Sequence, residues 1–235
     1  MKKLKVSVII PCFNESNYLA DCLDSLSKQS QMPDEVILCD NASTDSSVQI
    51  AKKFKNKLPL KIIFQPIKGI IPTVEKAWRF STGDIIVRTD ADARFPTDWL
   101  NNLINHFYID SKLMACGGNW NSWDGGFFAK LLMKIAFPVG GIFFPIVRGF
   151  RLLVGPNMAF RRSILKKING FILPDSSLPE DQLISYKLHQ AKVKYHFFYD
   201  CPNYHSSRGW NKNLYTFFRY TISAIYPKLY PEKSI

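Results

Sequence analysis

The chain has 235 residues, 46% of them hydrophobic, enough to bury a sizeable core as one large α/β domain with or without appendages. Lys plus Arg number 31 against 19 Asp plus Glu, and the net charge of +12 points to anionic partners: phosphates, nucleic acid or an anionic membrane surface. The five cysteines, Cys12, Cys22, Cys39, Cys116 and Cys201, are scattered and form no C-x-x-C pair, which argues against a zinc or redox motif and for reduced core thiols.

The N-terminal "MKKLKVSVIIPCF" starts basic, but its apolar run Val6 to Ile10 stops at Pro11, too short for the hydrophobic stretch of a signal peptide. The protein is therefore expected on the cytoplasmic side. "KVSVII" reads as a strand. Glu15 to Gln29 reads as a helix, with Leu19, Cys22, Leu23 and Leu26 on one face. "DEVILCD" is the second strand, and "NASTDSSVQIAKKF" opens with residues that can cap a second helix. "LKIIF" is a third strand. Ile70 to Phe80 is a further helix that tolerates Pro72 near its start, and "GDIIVRTDAD" closes the series. Strands alternating with helices predict crossover units and a mainly parallel sheet.

Ligands of such sheets bind beyond the carboxyl ends of the strands, where this half of the chain collects its polar residues. Asn14 and Glu15 follow the first strand, Asp40 ends the second, and Asp90 and Asp92 end the fourth. Each alone is a common cap or turn residue, but their coincidence at corresponding strand ends favours a site. Asp90 and Asp92 repel each other unless a divalent cation or a sugar hydroxyl shares their charge. The chain has neither G-x-G-x-x-G nor G-x-x-x-x-G-K-[ST], so another cation must neutralise a bound diphosphate.

"VSVIIPCFNES", "DNASTDSS", "DAD", "GPNMAFRR" and "PEDQL", in this order, resemble the family-2 glycosyltransferases of the GT-A fold over Lys5 to His189. The resemblance implies an α/β, Rossmann-like, mainly parallel central sheet flanked by helices. It implies a single domain over 1–200, divided into a nucleotide-sugar half (1–116), an apolar insertion (117–154) and an acceptor and base half (155–200). Residues 201–235 would then form a lid and a helical, aromatic, membrane-contacting tail. Carried over by motif, Pro11, Phe13, Glu15, Asp40 and Lys68 face the nucleotide, Asp90 approaches the ribose and Asp92 holds the metal, Mn2+ or Mg2+. Asp181 of "PED" is the implied general base, because an inverting transfer needs a carboxylate to take the acceptor hydroxyl's proton. An acidic first turn complementing a helix dipole is the bland reading of Glu180 and Asp181. Gly155, Asn157 and Glu180 belong to the acceptor side, while Arg161 and Arg162 are expected to start a helix or a solvated face. In "CPNYHSSRGW", His205 is a candidate metal ligand and Arg208 a candidate partner of the diphosphate.

Two departures narrow the reading. "HSSRGW" replaces the Q-x-x-R-W of processive polymerases, which argues against a polymer synthase, and Thr73-Val74-Glu75 replaces the usual Ala-Arg-Asn, which leaves the donor sugar open. The uncharged run Ile135 to Val147 is shorter than the ~20 residues of a span and is broken by Pro138, Gly140, Gly141 and Pro145. The insertion, with Phe143 and Phe144, and the tail Asn213 to Tyr230 carry aromatics and only basic charges. They suit either core packing or contact with an anionic membrane surface, the latter placing the protein peripherally on the inner face. The expected partners are a nucleotide-diphosphate sugar donor and a glycan or lipid-linked acceptor. Nucleic acid is not expected, since no element gathers Lys and Arg with aromatics into a recognisable module. A nucleotidyltransferase would carry a Gly- and Arg/Lys-rich loop in place of "PCFNES". The remaining alternative is a basic membrane-surface or nucleotide-binding protein without transferase activity.

Overall fold

The computed structural model describes residues 3–126, 131, 145–168 and 179–208. In chain order these form β1 (Val6–Cys12), α1 (Leu19–Ser27), β2 (Glu35–Asp40), α2 (Ser47–Lys52), β3 (Leu60–Phe64), α3 (Ile70–Phe80) and β4 (Ile85–Arg88). Then follow α4 (Trp99–Ile109), β5 (Ala115–Ser122), a 3-10 turn (Gly155–Asn157), β6 (Met158–Arg161), α5 (Ile164–Ile168), α6 (Glu180–Gln190) and β7 (Tyr195–His205). The strands form one sheet in the order β3-β2-β1-β4-β6-β5-β7. β6 pairs antiparallel with β4 and β5 and the other pairings are parallel, so β6 alone runs against its neighbours.

β1, β2 and β4 are buried along their whole length, as strands covered by helices on both faces must be. Alternation along β1 sorts its side chains between two cores. Val6, Val8 and Ile10 pack with Leu19, Leu23 and Leu26 of α1 and Leu103 and Phe107 of α4. Ile9 faces the other way, toward Val74, Ala77 and Trp78 of α3 and Ile184 and Leu188 of α6. Each such aliphatic side chain contributes roughly 1.5–3 kcal/mol by burial. Trp78 stacks on Phe160 at 4.8 Å and so ties α3 to the reversed strand.

Because the parallel strands end on one edge, Cys12 lies level with Asp40, and the loops after β1, β2 and β4 meet there. The reversal of β6 brings its N-terminal turn, Gly155–Asn157, to that same edge.

Several expectations are corrected. α1 begins at Leu19, because Tyr18 and Leu19 donate to the Glu15 carbonyl in a separate turn that precedes the helix. The capping residues expected ahead of α2 lie in the loop 41–46, where Asp45 accepts from the Ser47 amide at 2.9 Å. Arg161 ends β6 and starts no helix; its guanidinium donates to the Leu113 and Phe107 carbonyls, so it is not a solvated face. Residues 117–122, expected at the start of the insertion, extend β5, and 201–205, expected in a lid, extend β7. All five cysteines are free and buried. Among the described residues no helix is long and apolar enough to cross a membrane. Phe143, Phe144 and the tail Asn213 to Tyr230 lie outside them.

Candidate active site

The strand-end loops enclose a cavity of about 320 Å³. Pro11, Cys12, Phe13 and Glu15 line it from the end of β1, Lys68 to Ile70 and Thr73 from the start of α3, and Asp90 to Asp92 from the loop after β4. Asn41 and Arg208 complete it. Phe13 is 46% exposed, and the Lys68 ammonium lies 5.8 Å from its ring centre. A flat apolar ring beside a cation suits a nucleobase and its phosphates. Burial pushes the Cys12 thiol up to about 12, which favours its protonated form.

Asp90, Asp92 and His205 each bring a ligand atom within 4.8 Å of the others. His205, the last residue of β7, is aligned with Ser122 of β5, and its Nδ1 lies 3.3 Å from Asp92 Oδ1. Trp123 braces both loops: its backbone amide donates to the His205 carbonyl and its indole N–H to the Asp92 carbonyl. Two carboxylates and one imidazole fit a divalent cation such as Mn2+ or Mg2+ in donor type and spacing.

The Arg208 guanidinium pairs with Glu15 and lies 3.4 Å from Asp92 Oδ2, over the Tyr18 ring. Burial pushes the Glu15 carboxyl up and Arg208 draws it back. Asp124 sets the approach of Arg208, accepting from the Ser206 hydroxyl and the Ser207 amide at 2.6 Å each. Although burial alone would raise its carboxyl, these donors hold it below the usual range.

Behind the cavity, Arg88 joins Asp90 to Glu180, the first residue of α6. Burial pushes Glu180 up to about 7 against the pull of Arg88. Asp181 is also buried; the Gly155 amide lies 3.5 Å from its Oδ2, and the Gln182 amide donates to its Oδ1 at 2.8 Å.

Of the residues expected at the site, Pro11, Phe13, Glu15, Lys68, Asp90, Asp92 and Arg208 share the cavity, and His205 joins them through Asp92. Asp40 does not line it; the side chain is 6% exposed and accepts from the Ser43 amide. Its neighbour Asn41 lines the cavity instead. The Asn41 amide group donates to the Gln65 and Ile67 carbonyls and accepts from the Gly69 amide, pinning the loop that carries Lys68. Gly69 has φ +128°, a conformation that requires glycine. Glu180 faces Arg88 rather than the cavity. Asn157 is fully buried, and its side chain accepts from the Trp99 indole and donates to the Asn119 and Cys201 carbonyls, which fixes the turn assigned by resemblance to the acceptor side. Sequence reasoning missed Asn41, Arg88, Trp123 and Asp124. Asn41 and Arg88 flank the two acidic motifs, and that adjacency is the signal available for them.

The model of glycosyl transferase family 2 matches residues 7–169. Dolichol-phosphate mannosyltransferase of Pyrococcus furiosus is 29% identical over 173 residues, covering 70% of this chain and 48% of the relative. Poly(ribitol-phosphate) beta-N-acetylglucosaminyltransferase TarS of Staphylococcus aureus is 25% identical over 192 residues, 78% of this chain and 32% of its own. The chain thus spans half or less of the length of these relatives. Among solved structures, mannosyltransferase PcManGT of Pyrobaculum calidifontis, in complex with GDP-Man and Mn2+, has a TM-score of 0.76 at 20% identity, covering 100% of this chain and 67% of that one. S. aureus TarS 1-349, in complex with UDP-GlcNAc, gives 0.68 at 22% identity, covering 86% and 58%. At these identities the structural likeness establishes the fold, an α/β GT-A sheet flanked by helices. With most of the described core inside the matched range, the chain belongs to glycosyl transferase family 2.

Proposed function

We propose that the protein is an inverting, divalent-metal-dependent glycosyltransferase that moves a sugar from a nucleoside diphosphate sugar to an acceptor hydroxyl. The observation that carries this reading is the meeting of Asp90, Asp92 and Arg208 in one cavity, with His205 behind Asp92. Asp92 and His205 would hold the ion, with Asp90 beside them toward the ribose. Such an ion supplies Lewis-acid stabilisation of the leaving diphosphate. Arg208 adds a fixed cation on the same side. Phe13, Lys68 and Glu15 bind the nucleotide within the cavity, and Asp40 supports them through the loop it caps. Asp181 takes the proton of the acceptor hydroxyl as that oxygen attacks the anomeric carbon opposite the diphosphate.

A lipid-linked or cell-envelope glycan precursor is the proposed acceptor. The dolichol-phosphate named for the Pyrococcus relative supports this, as do Ile146 and Val147, exposed beside Arg148. On this reading the protein works peripherally on the cytoplasmic face of a membrane. Calorimetry with UDP- and GDP-sugars, each with and without Mn2+, followed by assay of nucleoside diphosphate release, tests the function. Mn2+-dependent binding and release are expected. Binding of no sugar nucleotide in either condition overturns the proposal in favour of a non-catalytic membrane-surface protein.

A further inference from the structure

Arg88 is buried at the end of β4, two residues before Asp90, with its side chain only 5% exposed. A guanidinium is costly to bury, and a well-packed apolar side chain would serve the fold as well or better. What it touches suggests why it is there. Its Nη2 lies 3.0 Å from Asp90 Oδ1 and 3.1 Å from Glu180 Oε2. Gly155 packs directly on it, for a Cβ at that position would stand 2.8 Å from Nη1. The Gly155 amide in turn points at Asp181 Oδ2. One planar cation therefore spans the donor-side carboxylate, the first residue of α6, and the turn that contacts the next residue of that helix.

We propose that Arg88 is a positioning residue for sugar transfer: by bridging Asp90 and Glu180 it holds the first turn of α6, and with it Asp181, in fixed register with the donor site. This rests on Asp181 acting as the base under the function proposed above. Glu180 on this view serves as the anchor of the helix, and the "PED" motif divides into an inward carboxylate that locates and a second that reacts. Both carboxylates meet Nη2 while Nη1 lies against Gly155, so a lysine, with a single nitrogen, does not reproduce the contact to both carboxylates and to the turn at once. Loss of Arg88 also leaves Glu180 buried without its cation, and burial then favours the protonated acid, which no longer anchors by charge.

The test is a mutant cycle on the full chain with Arg88→Met, Arg88→Lys, Asp181→Asn and the two pairwise combinations with Asp181→Asn. Binding is measured with Mn2+ plus UDP or GDP, and turnover as hydrolysis of UDP-GlcNAc and GDP-Man. Hydrogen exchange over residues 180–185 needs no substrate and reports the helix turn directly. Arg88→Met is expected to raise exchange there while β1 and β2 stay protected, to leave nucleotide affinity within about threefold, and to lower turnover about 10²-fold. Arg88→Lys recovers no more than a tenth of the loss. In the Asp181→Asn background neither substitution should lower turnover further, since a positioning residue acts through the group it positions. An equal factor in both backgrounds, or unchanged exchange over 180–185, overturns the proposal. If Asp181→Asn itself retains normal turnover, the base assignment fails instead, a separate outcome. Should Arg88→Met not fold, Arg88→Met with Glu180→Gln removes both buried charges together; it should restore folding but not turnover, and recovery of turnover would also overturn the proposal.

Discussion

Arg208 and Glu15, 193 positions apart in the chain, are joined guanidinium to carboxylate across the cavity, and the same guanidinium lies 3.4 Å from Asp92. Under the proposed function, a fixed cation beside the carboxylate that would hold the metal disfavours the ion while it helps the diphosphate. Arg208→Gln is therefore expected to tighten binding of Mn2+ alone and yet to lower turnover by ~10²–10³, the usual worth of a lost charge-stabilising donor. Calorimetry with Mn2+ and no nucleotide separates the two effects. Weaker Mn2+ binding in the variant would mean that Arg208 supports the ion site.

Asp181 is buried and already accepts from the Gln182 amide, so Asp181→Asn keeps shape and most packing. Fold and donor affinity should survive, while turnover falls by ~10²–10⁴, or roughly 3–5 kcal/mol of barrier, the contribution of a positioned base. Near-normal turnover with intact donor binding would remove Asp181 from the chemistry.

Asn41 and Asp92 line one cavity by different means. Asn41 pins the 65–69 loop through three hydrogen bonds, whereas Asp92 lies against His205. Asn41→Ala should weaken UDP or GDP binding by about tenfold with or without Mn2+, roughly 1.4 kcal/mol. Asp92→Asn should weaken it only when Mn2+ is present. Asp40→Asn, which disturbs the adjoining turn, is expected to follow the metal-independent pattern. The check is a pair of nucleotide titrations for each variant; identical behaviour in both would merge the roles assigned to them.

The alternation of β-branched runs with helical spacing made β1 to β4 and α1 to α3 legible, because each of those segments contacts its sequence neighbours in a repeated unit. β6 was not legible as a strand partner of β4, since its four residues reverse direction and their pairing is set by distant β-strands. The strand-end carboxylates stood out by their coincidence at corresponding ends, since each alone is a common cap or turn residue, as Asp40 is in accepting from the Ser43 amide. Arg88 did not: a charged residue after "DIIV" looks like a strand leaving the core, and only the folded position of Glu180 makes it an interior one. The burial of Asn157 was not legible either, because its side-chain amide bonds Trp99, Asn119 and Cys201 from three separate elements.

Ile146 is 76% exposed and Val147 41%, beside Arg148 within the apolar insertion. If this segment meets head groups, the protein should float with anionic liposomes at low salt and less at high salt, because the Debye length shrinks from about 10 Å at 0.1 M to about 3 Å at 1 M. Replacing both residues by Ser should reduce flotation and leave nucleotide binding unchanged. Equal flotation with neutral and anionic vesicles would exclude the electrostatic part of this attachment, and no flotation at all would exclude the attachment.

Glu180 offers a stability measurement independent of any substrate. Its carboxyl starts from an ordinary value of 4.5 and burial pushes it up to about 7, with Asp181 and Asp90 adding to the rise and Arg88 opposing it. In the unfolded chain the group ionises above about pH 4.5, while the folded protein keeps its proton until about pH 7. Its contribution to stability is therefore greatest below pH 4.5, declines as pH rises toward 7 and is level beyond, at a slope of at most about 1.4 kcal/mol per pH unit. Glu180→Gln cannot titrate and loses that slope, though it also surrenders the ionic contact with Arg88, which shifts the whole curve by an offset. Thermal unfolding of both proteins from pH 4 to pH 8 isolates the term. The melting temperature of the variant minus that of the wild type should climb between about pH 4.5 and pH 7 and then stay constant. A difference that falls through this window would mean that Arg88 outweighs burial and holds Glu180 ionised in the fold.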